Sequence, residues 1–322
     1  PSSPSSGTSS SSSTGKFVTT GRLSDAVSGA GISGVTATSS DSRTLYTTAT
    51  DSNGAFSLGV DLAASSALPF TFSGSSIVTR QTYIQVPGNA AAVTAISKTF
   101  DLTSFDEMCR TPMLMRWTST PPLVIQTQTL QFTSANDSAF PVLSESMSGA
   151  EVVSLAADLT WALPQLTGNT FGVFQSQALA LGLPGATAVM MNSGQITVGR
   201  FAGLRAAVGS AGLSRWLFQT DGKVIGGLIM LDRDFDKSGD ALVRIIRAHE
   251  LGHTMGFNHV TSRTSIMNAV PTIEPNAADL AAAKIAFLRP PGNKSPDTDP
   301  SSFAINSLRA SGAGAVWTDP IR

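Results

Sequence analysis

Apolar and polar residues alternate along the first third of the chain and recur every three or four positions along much of the rest, so the two parts predict different elements. Between about Lys16 and Leu102, runs such as Phe56-Ser57-Leu58-Gly59-Val60 and Val78 to Val86 carry the two-residue period of half-buried strands. Asp51-Ser52-Asn53-Gly54 and Pro87-Gly88-Asn89 are turn signals between them. About seven strands fit this span, which predicts a small all-β sandwich. Further on, Leu123 to Thr127 reads as a strand, and Ser148-Gly149-Ala150-Glu151 as a capping box with Met147 and Val152 as a hydrophobic staple. Val152, Leu155, Leu159 and Ala162 then lie at helical spacing, which predicts a helix with one apolar face on a sheet. Strands follow around Gln195 to Phe201, Leu213 to Gln219 and Val224 to Leu231, then a helix from near Ser238 through His253 and an Ala-rich helix over Pro275 to Leu288. Pro290-Pro291-Gly292 ends the last helix, and the tail reads as loop. The predicted class is α+β, a sandwich over 16–102 followed by a twisted mixed sheet with helices over 103–322.

Composition narrows the function classes. Charged residues are 13% of the chain, against about 25% in ordinary domains, and the net charge is −1. No basic footprint for nucleic acid or anionic lipid is present. No window approaches the roughly 18 apolar residues of a membrane-spanning helix. Pro1 to Gly15 is almost wholly Ser, Pro, Gly and Thr, which predicts a flexible tether. Its place and composition carry the expectation of a secreted or extracytoplasmic protein from which an export signal has been removed, with a lipid-anchored cysteine upstream of Pro1 as one form of attachment. Cys109 is the only cysteine, and its flanks predict a packed thiol leading into a strand rather than a latency switch.

The candidate chemistry is concentrated in eleven positions. All three histidines lie in His249-Glu250-Leu251-Gly252-His253-Thr254-Met255-Gly256-Phe257-Asn258-His259. On a helix, His249 and His253 project from one face, so both imidazoles reach one tetrahedral metal. Gly256 can take a left-handed conformation, stop the helix and bring His259 back as a third ligand. This ligand set predicts Zn²⁺ with an open fourth position, and Glu250 is placed to act on the water there.

The extended HExxHxxGxxH motif resembles the signature of the metzincin metallopeptidases, and Thr264-Ser265-Ile266-Met267-Asn268 resembles their Met-turn. The only tyrosines, Tyr46 and Tyr83, fall in the N-terminal part, and one cysteine leaves no disulfide. The resemblance is therefore to the matrixin-like, bacterial type rather than to astacins, serralysins or adamalysins. It implies a zinc endopeptidase with His249, His253 and His259 as ligands, Glu250 as general base and peptide or protein as substrate. An extended substrate is expected along an exposed edge strand, Leu213 to Gln219, with Asn268 to Ile273 as a pocket wall. Gly21 to Asp25, Gly31 to Ala37 and Thr50-Asp51-Ser52-Asn53-Gly54-Ala55-Phe56 resemble the carboxypeptidase regulatory-like, transthyretin-like domain, which implies an accessory role for the sandwich. Asp232, Asp234, Asp236 and Asp240 leave two readings, a Ca²⁺ site as in matrixins or capping of the following helix. The reading from a different class is a non-catalytic cell-surface binding protein with a vestigial zinc site.

Overall fold

The computed structural model describes residues 17–41, 44–304 and 315–318. The tether expected over Pro1 to Gly15 lies outside them. The chain is mixed α+β and divides into two compact units. Unit 1 takes in Pro1–Phe100 and Pro296–Ser307; unit 2 takes in Asp101–Ser295 and Leu308–Arg322. No helix among the described residues is long and apolar enough to cross a membrane.

Unit 1 contains seven strands, β1 (Phe17–Asp25), β2 (Thr36–Ser40), β3 (Leu45–Ala49), β4 (Ala55–Val60), β5 (Ser66–Ser73), β6 (Arg80–Val86) and β7 (Gly88–Ala95). They form a three-stranded sheet in the order β4-β1-β7 and a four-stranded sheet in the order β3-β2-β5-β6. The alternation in β4 buries Phe56, Leu58 and Val60, and that in β5 buries Leu68, Phe70 and Phe72. Side chains from both sheets join one apolar cluster, in which the Phe56 and Phe72 rings meet edge to face at 5.3 Å.

Pro296–Ser307, read from sequence as part of the tail of the second domain, belongs to unit 1. A buried cation draws it there. Arg80 Nη1 donates to Asp299 Oδ1 at 2.7 Å and to Asp297 Oδ1 at 3.4 Å, while Nη2 donates to Asp299 Oδ2. Both carboxylates and Arg80 are buried, so each charge depends on the other.

Unit 2 begins with a helix that the sequence reading missed, α1 (Leu102–Cys109). Asp101 caps it by accepting from Ser104 N, and Leu102, Phe105, Met108 and Cys109 mark its inner face, a short signal overlooked beside the strand pattern. There follow β8 (Leu123–Gln126), β9 (Gln128–Gln131), β10 (Ala139–Ser146), α2 (Gly149–Gln165), β11 (Gln177–Ala180), β12 (Thr187–Val189) and β13 (Ile196–Ala202). Next come α3 (Leu204–Val208), β14 (Gly212–Phe218), β15 (Val224–Asp232), α4 (Arg233–Asp236), α5 (Val243–Thr254), α6 (Ala277–Leu288) and β16 (Ala315–Thr318). The main sheet runs β12-β10-β9-β13-β15-β14-β16, with β8 beside β13 and β11 beside β8. The central pair β13 and β15 is parallel and almost wholly buried, hence the long apolar run of β15, while β13 buries Thr197 and Arg200 among apolar residues; β14 is antiparallel to β15. α5 packs on β14 and β15, and α2 packs on α5.

Two boundaries differ from expectation. α5 starts at Val243 rather than Ser238, because Gly239 takes φ +71° and Asp240 turns its carboxylate onto Leu242 N. β14 is an exposed edge only in part: β15 pairs one side along its length, and β16 pairs the other over Arg215–Phe218.

Candidate metal centre

The last two turns of α5 are buried on every side, from Arg247 to Thr254, which is unusual for a segment containing two histidines and a glutamate. His249 Nδ1 lies 2.8 Å from Ile266 O, and His253 Nδ1 lies 2.8 Å from Phe257 O. A carbonyl oxygen only accepts, so each Nδ1 carries the proton and each Nε2 presents a lone pair. The two Nε2 atoms face each other at 3.0 Å. One ligand atom from each of His249, His253 and His259 falls within 4.8 Å of the others. Tetrahedral zinc at about 2.0–2.1 Å from each nitrogen sets its ligands about 3.3 Å apart, a spacing these distances bracket. Burial keeps both helix imidazoles neutral: it drives His249 well below its ordinary value, and together with neighbouring His259 brings His253 down to about 3. Neutral imidazole is the form that binds a metal. Among the described residues this is the one such cluster, and it can hold a metal ion.

The turn that delivers His259 depends on Gly256. It sits at φ +101°, and a Cβ there would fall 2.2 Å from Met115 O. Phe257 N donates to Gly252 O at 3.1 Å and Gly256 N to His253 O at 2.9 Å, the paired bonds of a Schellman ending. The carbonyl of the residue just after the glycine then receives the His253 proton, so one turn both stops the helix and orients a ligand.

Met267 is fully buried under α5. A Cβ on Gly252 would lie 2.5 Å from its sulfur, so glycine there lets the methionine sit close against the helix. Asp279, the N3 residue of an Asn276 capping box at the start of α6, anchors the turn above it. Its Oδ1 accepts from Ser265 Oγ at 2.6 Å and its Oδ2 from Ile266 N at 3.1 Å. Ile266 O in turn receives the His249 proton, so Asp279 positions the His249 imidazole at one remove. Asn268 locks the same turn through Val260 O and Arg263 O, so its side chain is committed inward, while Val270 of the expected pocket wall is 80% exposed.

Glu250 is 3% exposed, and β14 is shaped around it. A Cβ on Gly212 would lie 2.4 Å from Glu250 Oε1, and Ser214 Oγ donates to Glu250 O at 2.9 Å. Trp216, also on β14, lies parallel to the His253 ring with centroids 6.0 Å apart. Glu107 on α1 holds the loop beyond His259. Partial burial would raise its carboxyl, but the amide and hydroxyl groups of Thr261 and Ser262 outweigh that and bring it down to about 2.

The acidic loop does not gather into a metal cluster. Asp232 caps α4 through Phe235 N, Asp234 pairs with Arg233, and Asp240 accepts from Leu242 N. Asp236 is buried between Arg200 and Arg247, with Nε–O distances of 2.6 and 2.7 Å. Capping and ion pairing thus employ all four, in keeping with the capping reading, and among the described residues they form no group of three ligands. Cys109 ends α1 in full burial, which pushes its thiol far above the ordinary range, and it leads into no strand.

His249, Glu250, His253, Gly256, His259 and Met267, the residues singled out in the sequence, all come together. Gly212, Ser214, Trp216, Asp279 and Glu107 were not foreseen. The Asn276-x-x-Asp279 box was a readable signal for one of them. Compared with known protein families and with curated proteins, the chain matches none.

Proposed function

We propose that the chain is a zinc-dependent endopeptidase of the metzincin class, matrixin-like, with unit 1 as a carboxypeptidase regulatory-like β-sandwich in an accessory role. One observation carries the reading: three imidazoles converge beside a buried carboxylate on the same helix, above a buried methionine. A purely structural cluster has no need of Glu250, whose burial at 3% exposure is costly unless it serves the site.

His249, His253 and His259 would hold the ion. When bound, zinc supplies a water acidified toward neutral pH and polarises the carbonyl of the scissile bond. Glu250 takes the proton of the attacking water on its carboxylate and passes it to the departing amine. The Nδ1 bonds to Ile266 O and Phe257 O keep both helix imidazoles in the ligating tautomer throughout. No tyrosine and no further histidine is available in unit 2 to steady the oxyanion.

Metal analysis and cleavage of a denatured protein mixture, with and without chelator, test the reading together. About one zinc per chain and chelator-sensitive cleavage are expected. Zinc without cleavage would make this a binding protein with an unproductive site, and absence of zinc would remove both readings.

A further inference from the structure

β14 is the strand whose backbone lies against the catalytic helix. Gly212 leaves the room that Glu250 Oε1 fills, Ser214 bonds Glu250 O, and Trp216 lies along His253. Its inner edge is taken by β15. The outer edge is a row of backbone donors and acceptors next to the site, the kind of edge to which an extended peptide adds as a new strand. In this structure a segment of the same chain occupies it: β16 pairs antiparallel, with Arg215↔Thr318, Trp216↔Trp317, Leu217↔Val316 and Phe218↔Ala315. The pairing covers the Phe218 end of β14 and runs toward Gly212 at Glu250, stopping opposite Arg215.

We propose that Ala315–Thr318 is a self-inhibitory strand, the resting occupant of the edge on which peptide substrate pairs. The proposal rests on the peptidase reading for its consequence, though not for the pairing itself. One row of backbone hydrogen bonds cannot serve two strands, so over Arg215–Phe218 β16 and an extended substrate exclude each other, and a substrate running along the whole of β14 from Gly212 has to displace β16. A four-residue strand is a weak ligand on its own. Joined to the same chain it pairs intramolecularly, where a local concentration in the millimolar range makes even weak affinity effective. It is accordingly strong enough to slow substrate and short enough to be displaced by it.

The test uses the full chain with Val316→Pro and Trp317→Pro together, since proline removes ladder donors and leaves strand pairing untenable. On a quenched-fluorescence peptide the apparent KM should fall about fivefold or more with kcat unchanged, the signature of a lost competitor. A labelled synthetic peptide of residues 311–322 should bind the proline variant and bind the unaltered chain more weakly. A second variant, Leu217→Cys with Val316→Cys, places two thiols at paired positions. Its oxidised form should lose peptide cleavage and regain it on mild reduction. Equal KM in the unaltered and proline chains, with no labelled peptide bound and full activity in the oxidised cysteine pair, would overturn the proposal and leave the peptidase reading intact. Labelled peptide bound selectively by the proline variant, with no chelator-sensitive cleavage from any form, would remove the peptidase reading and leave the strand assignment standing.

Discussion

The two units solve the problem of an interior in opposite ways. Unit 1 fills the space between its sheets with Phe56, Phe70, Phe72 and aliphatic neighbours, and admits one charged cluster of consequence, Arg80 with Asp297 and Asp299. Unit 2 buries His249, His253, Glu250, Asp236, Arg200, Arg247 and Asp279, and ties most of them by directed hydrogen bonds or ion pairs. An apolar core is tolerant because dispersion has no direction; a polar interior is specific because each bond has a donor, an acceptor and an angle. The contrast teaches that unit 2 exchanges tolerance for a site whose imidazoles are aimed by hydrogen bonds into an arrangement that could hold a metal ion.

The largest effects should come from breaking each interior on its own terms. Phe70→Ala is expected to cost unit 1 about 3–5 kcal/mol through an unfilled cavity. Asp236→Ala should cost unit 2 a similar 3–5 kcal/mol or so, by leaving two guanidinium groups buried without their shared carboxylate. Separate unfolding transitions followed by calorimetry should show each substitution moving only the transition of its own unit; a shared shift would mean that the division into units is energetically empty.

Acid separates the units next. All three histidines lie in unit 2, and His253 falls from an ordinary 6.5 to about 3 when folded. The unfolded chain therefore binds protons that the folded, metal-free unit refuses. Its stability should decline as pH drops from about 6.5 toward 3 and level off below, by an amount on the order of a few kcal/mol. Unit 1 should show no histidine-linked change in that window. Urea denaturation of chelated protein at stepped pH measures both, and a flat unit 2 would mean that its imidazoles are solvated.

Within unit 2 the carboxylates should divide by role. Glu250→Gln is expected to keep its metal and lower cleavage roughly 10²-fold or more, as the loss of a general base does. Asp279→Asn should do the reverse, lowering metal affinity some 10–100-fold through a loosened Ile266–His249 bond while sparing kcat of the metal-saturated protein. Metal titration and steady-state kinetics on both variants suffice, and an Asp279 variant that binds metal normally would reduce its anchoring to a matter of fold stability alone.

Sequence made the candidate centre legible because its residues are local. His249, Glu250, His253, Gly256 and His259 span eleven positions, and helix geometry alone brings the first three together. What surrounds them was not legible, because it arrives from other elements. Gly212 meets Glu250 only once β14 is laid against α5, and Glu107 reaches Thr261 across 154 positions. A lone glycine in a strand or a lone glutamate in a short helix carries no periodic signal. β16 escaped for a related reason: four residues are too few to show a two-residue period, and the tail around them reads as loop. The strands of unit 1 were readable for the opposite reason, since alternation over five to nine residues is itself the cause of their burial.

Arg80 is synthesised long before the carboxylates that neutralise it. Asp299 lies 219 positions further on, and at roughly 5–20 residues per second the ribosome needs about 10–40 s to deliver it. For most of that interval the residues of all seven strands of unit 1 have been made, yet its interior holds a guanidinium awaiting counter-charge. The unit can collapse early and can close only after unit 2 has been translated nearly to its end. A nascent or proteolytically clipped chain ending before Pro296 would therefore carry a recognisably incomplete unit 1, so the integrity of the first unit becomes a readout of whether the last was made.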